Sequence, residues 1–235
     1  RAMDRHPETG MCASKVLLAG EDRIDSAGML IAPDGSSKQR GHRQPAGHFN
    51  VEEEVLLPSA SAALYRRRML DQTGGFDEDF FLYCEDTDLG LRAQWAGWKC
   101  VFVPGAAVTH RYSHSAGRAS SLKAYLVERN RLSLAVKNFP LAELLAAPVA
   151  ALRRYFWHAV FMMRGRGAAA EYRSGGASAW RLVWLVLRAH GSVAANWPRL
   201  WRKRRAIQNS AAVTPGEFRA LLARFSISPR EVASL

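Results

Sequence analysis

Hydrophobic positions fall in two textures along these 235 residues. Up to about residue 117 they come as short runs separated by turn chemistry. Residues 11–18 are almost continuously apolar, with Lys15 inside, and predict a short buried strand. Residues 24–41 set Met29-Leu30-Ile31 between Ser-Ala-Gly and Pro33-Asp34-Gly35, which predicts a hairpin or a loop. Residues 41–50 are polar, carry His42 and His48, and read as a mobile loop. Residues 60–70 predict a strand running into a short helix. Residues 85–97 have helical spacing in Leu89, Leu91, Trp95 and Ala96. Acids in their first turn suit the positive end of a helix, and Gly97 fits a C-cap. Residues 98–103 predict a strand stopped by Pro104-Gly105, and residues 106–110 a second short strand ending at His110.

From residue 120 the spacing turns helical. Ser120-Ser121 can cap a helix that ends before Pro140. Further helices are expected at 141–163, 178–190 and 194–208, with breaks at 164–167 and 174–176. A last one starts at Thr214, where Thr214 and Glu217 have capping-box spacing. No run reaches the roughly 18 apolar residues that a spanning helix needs. The longest candidate, 141–163, is interrupted by Arg153-Arg154.

Charge sharpens this division. Residues 1–117 hold 13 Lys+Arg against 16 Asp+Glu, and residues 118–235 hold 20 against 5, so nets of −3 and +15 make up the overall +12. An acidic working half and a basic helical half that meets an anionic partner are the expectation. The three cysteines, Cys12, Cys84 and Cys100, show no paired spacing and fit a reducing, cytoplasmic setting.

The densest chemistry lies in Gly74-Gly75-Phe76-Asp77-Glu78-Asp79-Phe80-Phe81-Leu82-Tyr83-Cys84-Glu85-Asp86-Thr87-Asp88-Leu89-Gly90-Leu91-Arg92. An apolar run, residues 80–84, delivers the acids Glu85, Asp86 and Asp88 close to buried surface, where carboxylate pKa values can be tuned. The residues alone leave Asp86 open as a base or as a simple helix cap, and His110 open as a ligand or as a strand-end histidine. Asp88 and Arg92 have the i,i+4 spacing of a helical ion pair.

The stretch from Gly74 to His110 resembles the C-terminal half of the catalytic domain of family 2 inverting glycosyltransferases, on the rhamnosyltransferase-like branch that builds cell-surface polysaccharides. The likeness extends to Arg23-Ile24-Asp25-Ser26-Ala27-Gly28, to Glu128-Arg129-Asn130-Arg131 with Lys137-Asn138-Phe139-Pro140, and to Arg204-Arg205-Ala206-Ile207-Gln208. It implies an α/β fold: the C-terminal half of a GT-A (Rossmann-like) domain over residues 1–117, then a basic, membrane-associating helical region over 118–235. It implies Asp86 as general base, with Glu85 shaping the site. Gly74, Gly75, Phe76, Asp88 and Arg92 are implied at the substrate, and His110 on a divalent metal, Mg or Mn. The implied partners are a nucleotide-sugar donor, with rhamnose the family-level expectation, and a glycan or lipid-linked acceptor.

Two departures shape these expectations. The family's metal-binding D-x-D and its nucleotide-binding half are not in this sequence, so the chain is expected to be truncated and to lack donor binding. Pro58-Ser59-Ala60-Ser61-Ala62 stands where relatives carry a Gly-Ala pair, which leaves acceptor identity open. The alternative reading is a catalytically inactive truncated protein that binds a membrane or a partner.

Trp180, Val183, Trp184 and Leu187 share one helical face flanked by Arg181 and Arg188, the composition of an interfacial helix. No nucleic-acid-binding module appears. The expected location is therefore peripheral, on the cytoplasmic face of the bacterial inner membrane, with an anionic leaflet as partner and no nucleic acid.

Overall fold

The structure, a computed structural model, describes residues 1–111, 120–174 and 178–234. The elements run α1 (Ala2–Arg5), β1 (Thr9–Leu18), β2 (Ile24–Ser26), β3 (Met29–Ile31), β4 (Ser37–Gln39), β5 (Glu53–Val55), β6 (Ala63–Tyr65), α2 (Arg67–Thr73), α3 (Glu85–Trp95) and β7 (Lys99–His110). Helices follow: α4 (Ser121–Asn138), α5 (Leu141–Met163), α6 (Ala168–Ser174), α7 (Ala179–Ala195), α8 (Trp197–Asn209), α9 (Pro215–Arg224) and α10 (Pro229–Ser234).

β1 is the centre of a five-stranded sheet ordered β2-β1-β7-β5, with β6 also paired to β1. β1 and β7 are parallel, and the other pairs are antiparallel. β3 and β4 form a separate hairpin across Pro33-Asp34-Gly35. Strand β1 is buried along nearly its whole length, as its apolar run requires.

Two features depart from the sequence reading. Pro104-Gly105 does not stop a strand: β7 runs through to His110. Ser14 pairs with Val103 and Lys15 with Ala107, so residues 104–106 sit in a register shift. A bulge removes Pro104 from the ladder, where its missing N–H would leave a gap. The Arg66-Arg67-Arg68 run, which by its sequence reads as a solvated face, is divided: Arg66 turns inward. It donates to the carbonyls of Thr9 (2.8 Å) and Met3 (2.6 Å), while Arg67 and Arg68 are exposed.

The expected boundary after residue 117 lies outside the described residues, as does His114, which reads from the sequence as a polar loop residue. One hydrophobic core crosses it, joining Met11, Val55, Leu91 and Phe102 with Leu134, Phe139, Phe218 and Phe225. Trp95 stacks on Phe218 with ring centroids 4.0 Å apart and donates to the Asn138 carbonyl at 2.7 Å. Ile227 N–H donates to the Ile31 carbonyl (3.0 Å). Arg204 is buried and donates to the carbonyls of Val136 and Phe139. Among the described residues no helix is long and apolar enough to cross a membrane.

Candidate active site

Helix α3 begins abruptly. Cys84, just before it, is left-handed (φ 65°), as are Tyr83 (φ 70°) and Phe81 (φ 60°). Such conformations are costly for residues with a side chain and persist where surroundings impose them. Here α4 imposes them. The Asn130 amide donates to the carbonyls of Phe80 (2.9 Å), Leu82 (2.8 Å) and Tyr83 (2.7 Å). Arg129 donates to those of Asp79 (3.0 Å) and Phe80 (2.9 Å). The preceding loop is pinned by charge as well: Lys137 of α4 and Lys203 of α8 both contact Asp77, and Lys203 also reaches Asp79. Gly90 lets α3 approach the segment that follows β5, since a Cβ there would lie 2.5 Å from Leu57.

This framework presents Asp86 at the first turn of α3, half-buried. Its Oδ2 accepts from Ala60 N–H at 3.1 Å and its Oδ1 from Thr87 N–H at 2.7 Å. The Thr87 hydroxyl donates to that Oδ1 at 3.2 Å and lies 2.9 Å from Ser37 Oγ. Burial pushes the Asp86 pKa up, and the hydrogen bonds from Ala60 and Thr87 oppose it without cancelling it. Burial likewise raises Glu85, with the Asp86 charge adding to the rise, and Glu85 Oε2 is buried without a hydrogen-bond partner. The Tyr65 hydroxyl is also buried and unpartnered; burial and then the Asp86 charge raise its pKa. Tyr65 meets the exposed Phe76 edge-on, ring centroids 6.0 Å apart.

Asp88 and Arg92 are engaged with the frame of the site. Asp88 is fully buried, 2.9 Å from Arg92 Nε and 2.7 Å from Lys137 Nζ, with Asn138 donating at 2.9 Å. Arg92 donates to the carbonyls of Thr73 (2.5 Å) and Gly75 (2.7 Å) and lies 3.4 Å from that of Gly74. Their ionic groups are spent on each other and on the loop backbone. Gly74 (φ 77°) closes α2, and its N–H donates to the Leu70 carbonyl (2.8 Å).

His110 ends β7 with Nδ1 2.7 Å from Asp25 Oδ2, and His42 Nδ1 lies 3.3 Å from Asp25 Oδ1. Burial would raise the Asp25 carboxyl, but the hydrogen bonds from His42 and His110 hold it below its usual value. A histidine braced by a carboxylate through one nitrogen keeps the other for a metal. His110 therefore fits the part of a single ligand. Among the described residues no group of three such side chains could hold an ion.

Residues 38–135 match the family described as "Glycosyltransferase like family 2". Over this span the chain is family 2 glycosyltransferase-like. The matched span holds α3, Arg129 and Asn130 of α4, and the loop between α2 and α3. The family 2-like chain is 52% identical over 76 residues to N-acetylglucosaminyl-diphospho-decaprenol L-rhamnosyltransferase of Mycobacterium tuberculosis, a match covering 32% of this chain and 25% of that protein. It is 41% identical over 54 residues to a rhamnosyltransferase of Escherichia coli K12, covering 23% and 20%. It is 27% identical over 118 residues to an O-antigen biosynthesis protein of Myxococcus xanthus, covering 47% and 9%. The matches thus span a quarter or less of these relatives. The mixed α/β sheet followed by helices agrees with the GT-A-like class expected from the sequence.

Sequence reasoning named Asp86 and Glu85 but gave no role to Ala60, Asn130, Lys137 or Asp25. Asn130 had a signal, its place in the Arg129-Asn130-Arg131 run. Ala60 had none, because it acts through its backbone.

Proposed function

We propose that this chain is the acceptor-side part of an inverting sugar transferase with Asp86 as general base. The observation that carries this reading is the Asp86 carboxylate: reachable, fixed by three donors, and raised in basicity by burial. Asp86 removes the proton of an acceptor hydroxyl as that oxygen attacks the anomeric carbon. The bond from that carbon to the donor's diphosphate breaks, and the configuration inverts. Glu85 lies beside the base as a second carboxyl. Phe76, set by the Arg92-held Gly74-Gly75 turn, forms a wall. A divalent ion, Mg or Mn, would be held in part by His110 and would neutralise the leaving diphosphate.

The donor is a nucleotide-sugar, with rhamnose the sugar suggested by the names of two relatives. The acceptor is a glycan or a lipid-linked sugar. The chain sits peripherally on an anionic membrane, on the cytoplasmic face of a bacterial inner membrane, and does not bind nucleic acid. Support comes from α7, whose Trp180, Trp184 and Leu187 are 80%, 61% and 60% exposed in a strongly basic region.

In the full-length gene product, Asp86→Asn is expected to abolish sugar transfer while leaving nucleotide-sugar binding unchanged. Unchanged turnover would remove the assignment of Asp86.

A further inference from the structure

Phe80 and Phe81 are neighbours in sequence and opposites in structure. Phe80 is 1% exposed and Phe81 78%. The backbone turns sharply at the second ring. Phe81 has φ 60° and ψ −57°, and Leu82 N–H donates across it to the Phe80 carbonyl at 2.6 Å. That is a γ-turn of the rare, strained hand. The turn does not call for this side chain, because glycine adopts positive φ with no Cβ to clash. The conformation is held all the same. The carbonyls on either side of Phe81, those of Phe80 and Leu82, accept from the buried Asn130 amide (2.9 and 2.8 Å), and Arg129 adds a bond to the first (2.9 Å). The fold thus fixes a large apolar ring in solvent just ahead of Asp86. A strained residue that its surroundings impose points to a use for what it displays.

The surface beside the ring is both apolar and basic. On α4, Val127 (37% exposed) shares a face with Lys123 and Asn130, and Leu122 (56% exposed) shares one with Tyr125 and Arg129. The Lys123 ammonium lies 5.7 Å from the centre of the Tyr83 ring. The Arg188 guanidinium of α7 lies 4.6 Å from that of Tyr125. Arg188 is one turn from the exposed Trp184, so these contacts lead from the loop of Phe81 across α4 to the outer face of α7. Apolar side chains interleaved with cations match a leaflet with anionic head groups.

We propose that Phe81 inserts into an anionic leaflet and seats the mouth of the Asp86 site on the membrane surface. The ring enters the acyl region, while Lys123, Arg129 and Arg188 meet the lipid phosphates. Asp86, on the helix that follows, then lies at head-group level, where the sugar of a lipid-linked acceptor is held. The proposal rests on the membrane reading given to α7 and adds to it a contact at the active site.

Sedimentation of the full chain with phosphatidylglycerol–phosphatidylcholine vesicles tests it. Phe81→Gly is expected to weaken binding about fivefold or more, and Phe81→Trp to retain it. Glycine suits the turn, so the denaturant midpoint of Phe81→Gly is expected to stay close to that of the wild type. In Phe81→Cys the new thiol can be labelled selectively, because burial raises the pKa of Cys12, Cys84 and Cys100. An environment-sensitive dye at position 81 should shift to the blue when these vesicles are added. A dye that stays in water, or a folded Phe81→Gly that binds like the wild type, overturns the proposal and leaves the reading of α7 standing. A clearly lower midpoint in Phe81→Gly would make the ring a part of the fold and overturns it as well. A wild-type chain that does not sediment with the vesicles overturns both the proposal and the membrane reading.

Discussion

At the scale of single residues, the site is a carboxylate held between opposing influences. Burial alone would make Asp86 a poor anion, and three donors restore enough ionisation for it to accept a proton. Its folded pKa lies above the ordinary Asp value of about 3.9. The carboxylate form is the active one for a general base, so turnover is expected to fall as pH drops through a pKa above that value. Thr87→Val removes the side-chain donor and keeps the backbone one, which raises the pKa further. The acid limb of kcat/KM should therefore move to higher pH in Thr87→Val, measured as rate against pH in the full-length gene product. An unmoved limb would show that another group sets it. The acid run made Asp86 legible in the sequence. Its partner Ala60 was not, because a backbone N–H leaves no trace in residue identity.

At the scale of elements, the loop from Asp77 to Cys84 has little regular structure of its own and takes its shape from α4 and α8. Its left-handed residues cost on the order of 1–3 kcal/mol each unless the surroundings compensate. The Asn130 amide, 1% exposed, compensates through three carbonyls. Asn130→Ala leaves those carbonyls short of donors and is expected to cost about 1–3 kcal/mol, read as a lower denaturant midpoint. Amide exchange of residues 79–84 should quicken at the same time. Stability and exchange both equal to wild type would show that the clamp does not hold the loop. Capped helices were the legible elements: Ser120 accepts from Lys123 N–H (3.1 Å), and Thr214 and Glu217 form a reciprocal capping box. Strand β5 was not legible. Glu53 and Glu54 break any apolar run, and only pairing with β7 makes that segment a strand. The same partner effect carries β7 past Pro104-Gly105, where local chemistry alone predicts a stop.

At the scale of the whole molecule, the helices do two jobs on different faces. Facing inward, α8 and α9 complete the core: Phe218 stacks on Trp95, and Lys203 grips the acidic loop. Facing outward, α5 and α7 leave large apolar side chains uncovered, Leu145 at 72%, Leu152 at 67%, Trp180 at 80% and Trp184 at 61%. The sequence foresaw the α7 face from its Trp and Arg spacing, but the α5 stripe emerges only when the helix is seen to pack through its other side, at Ala147, Ala150, Ala151 and Arg154. A second copy of this chain is a poor cover for these faces, because 20 Lys+Arg against 5 Asp+Glu beyond residue 117 would set like charges together. An anionic leaflet offers both apolar depth and opposite charge, at about 1 kcal/mol per basic residue near its surface. Vesicles with anionic lipid are expected to sediment the chain, neutral vesicles to retain much less, and added salt to weaken the anionic binding. A Trp180→Ser/Trp184→Ser double variant should lose several-fold in affinity while charge and fold stay the same, since it removes only the apolar insertion. Equal partition of wild type and double variant would confine the attraction to charge and take α7 out of the interface, whereas equal binding to neutral and anionic vesicles would remove the role given to the basic region.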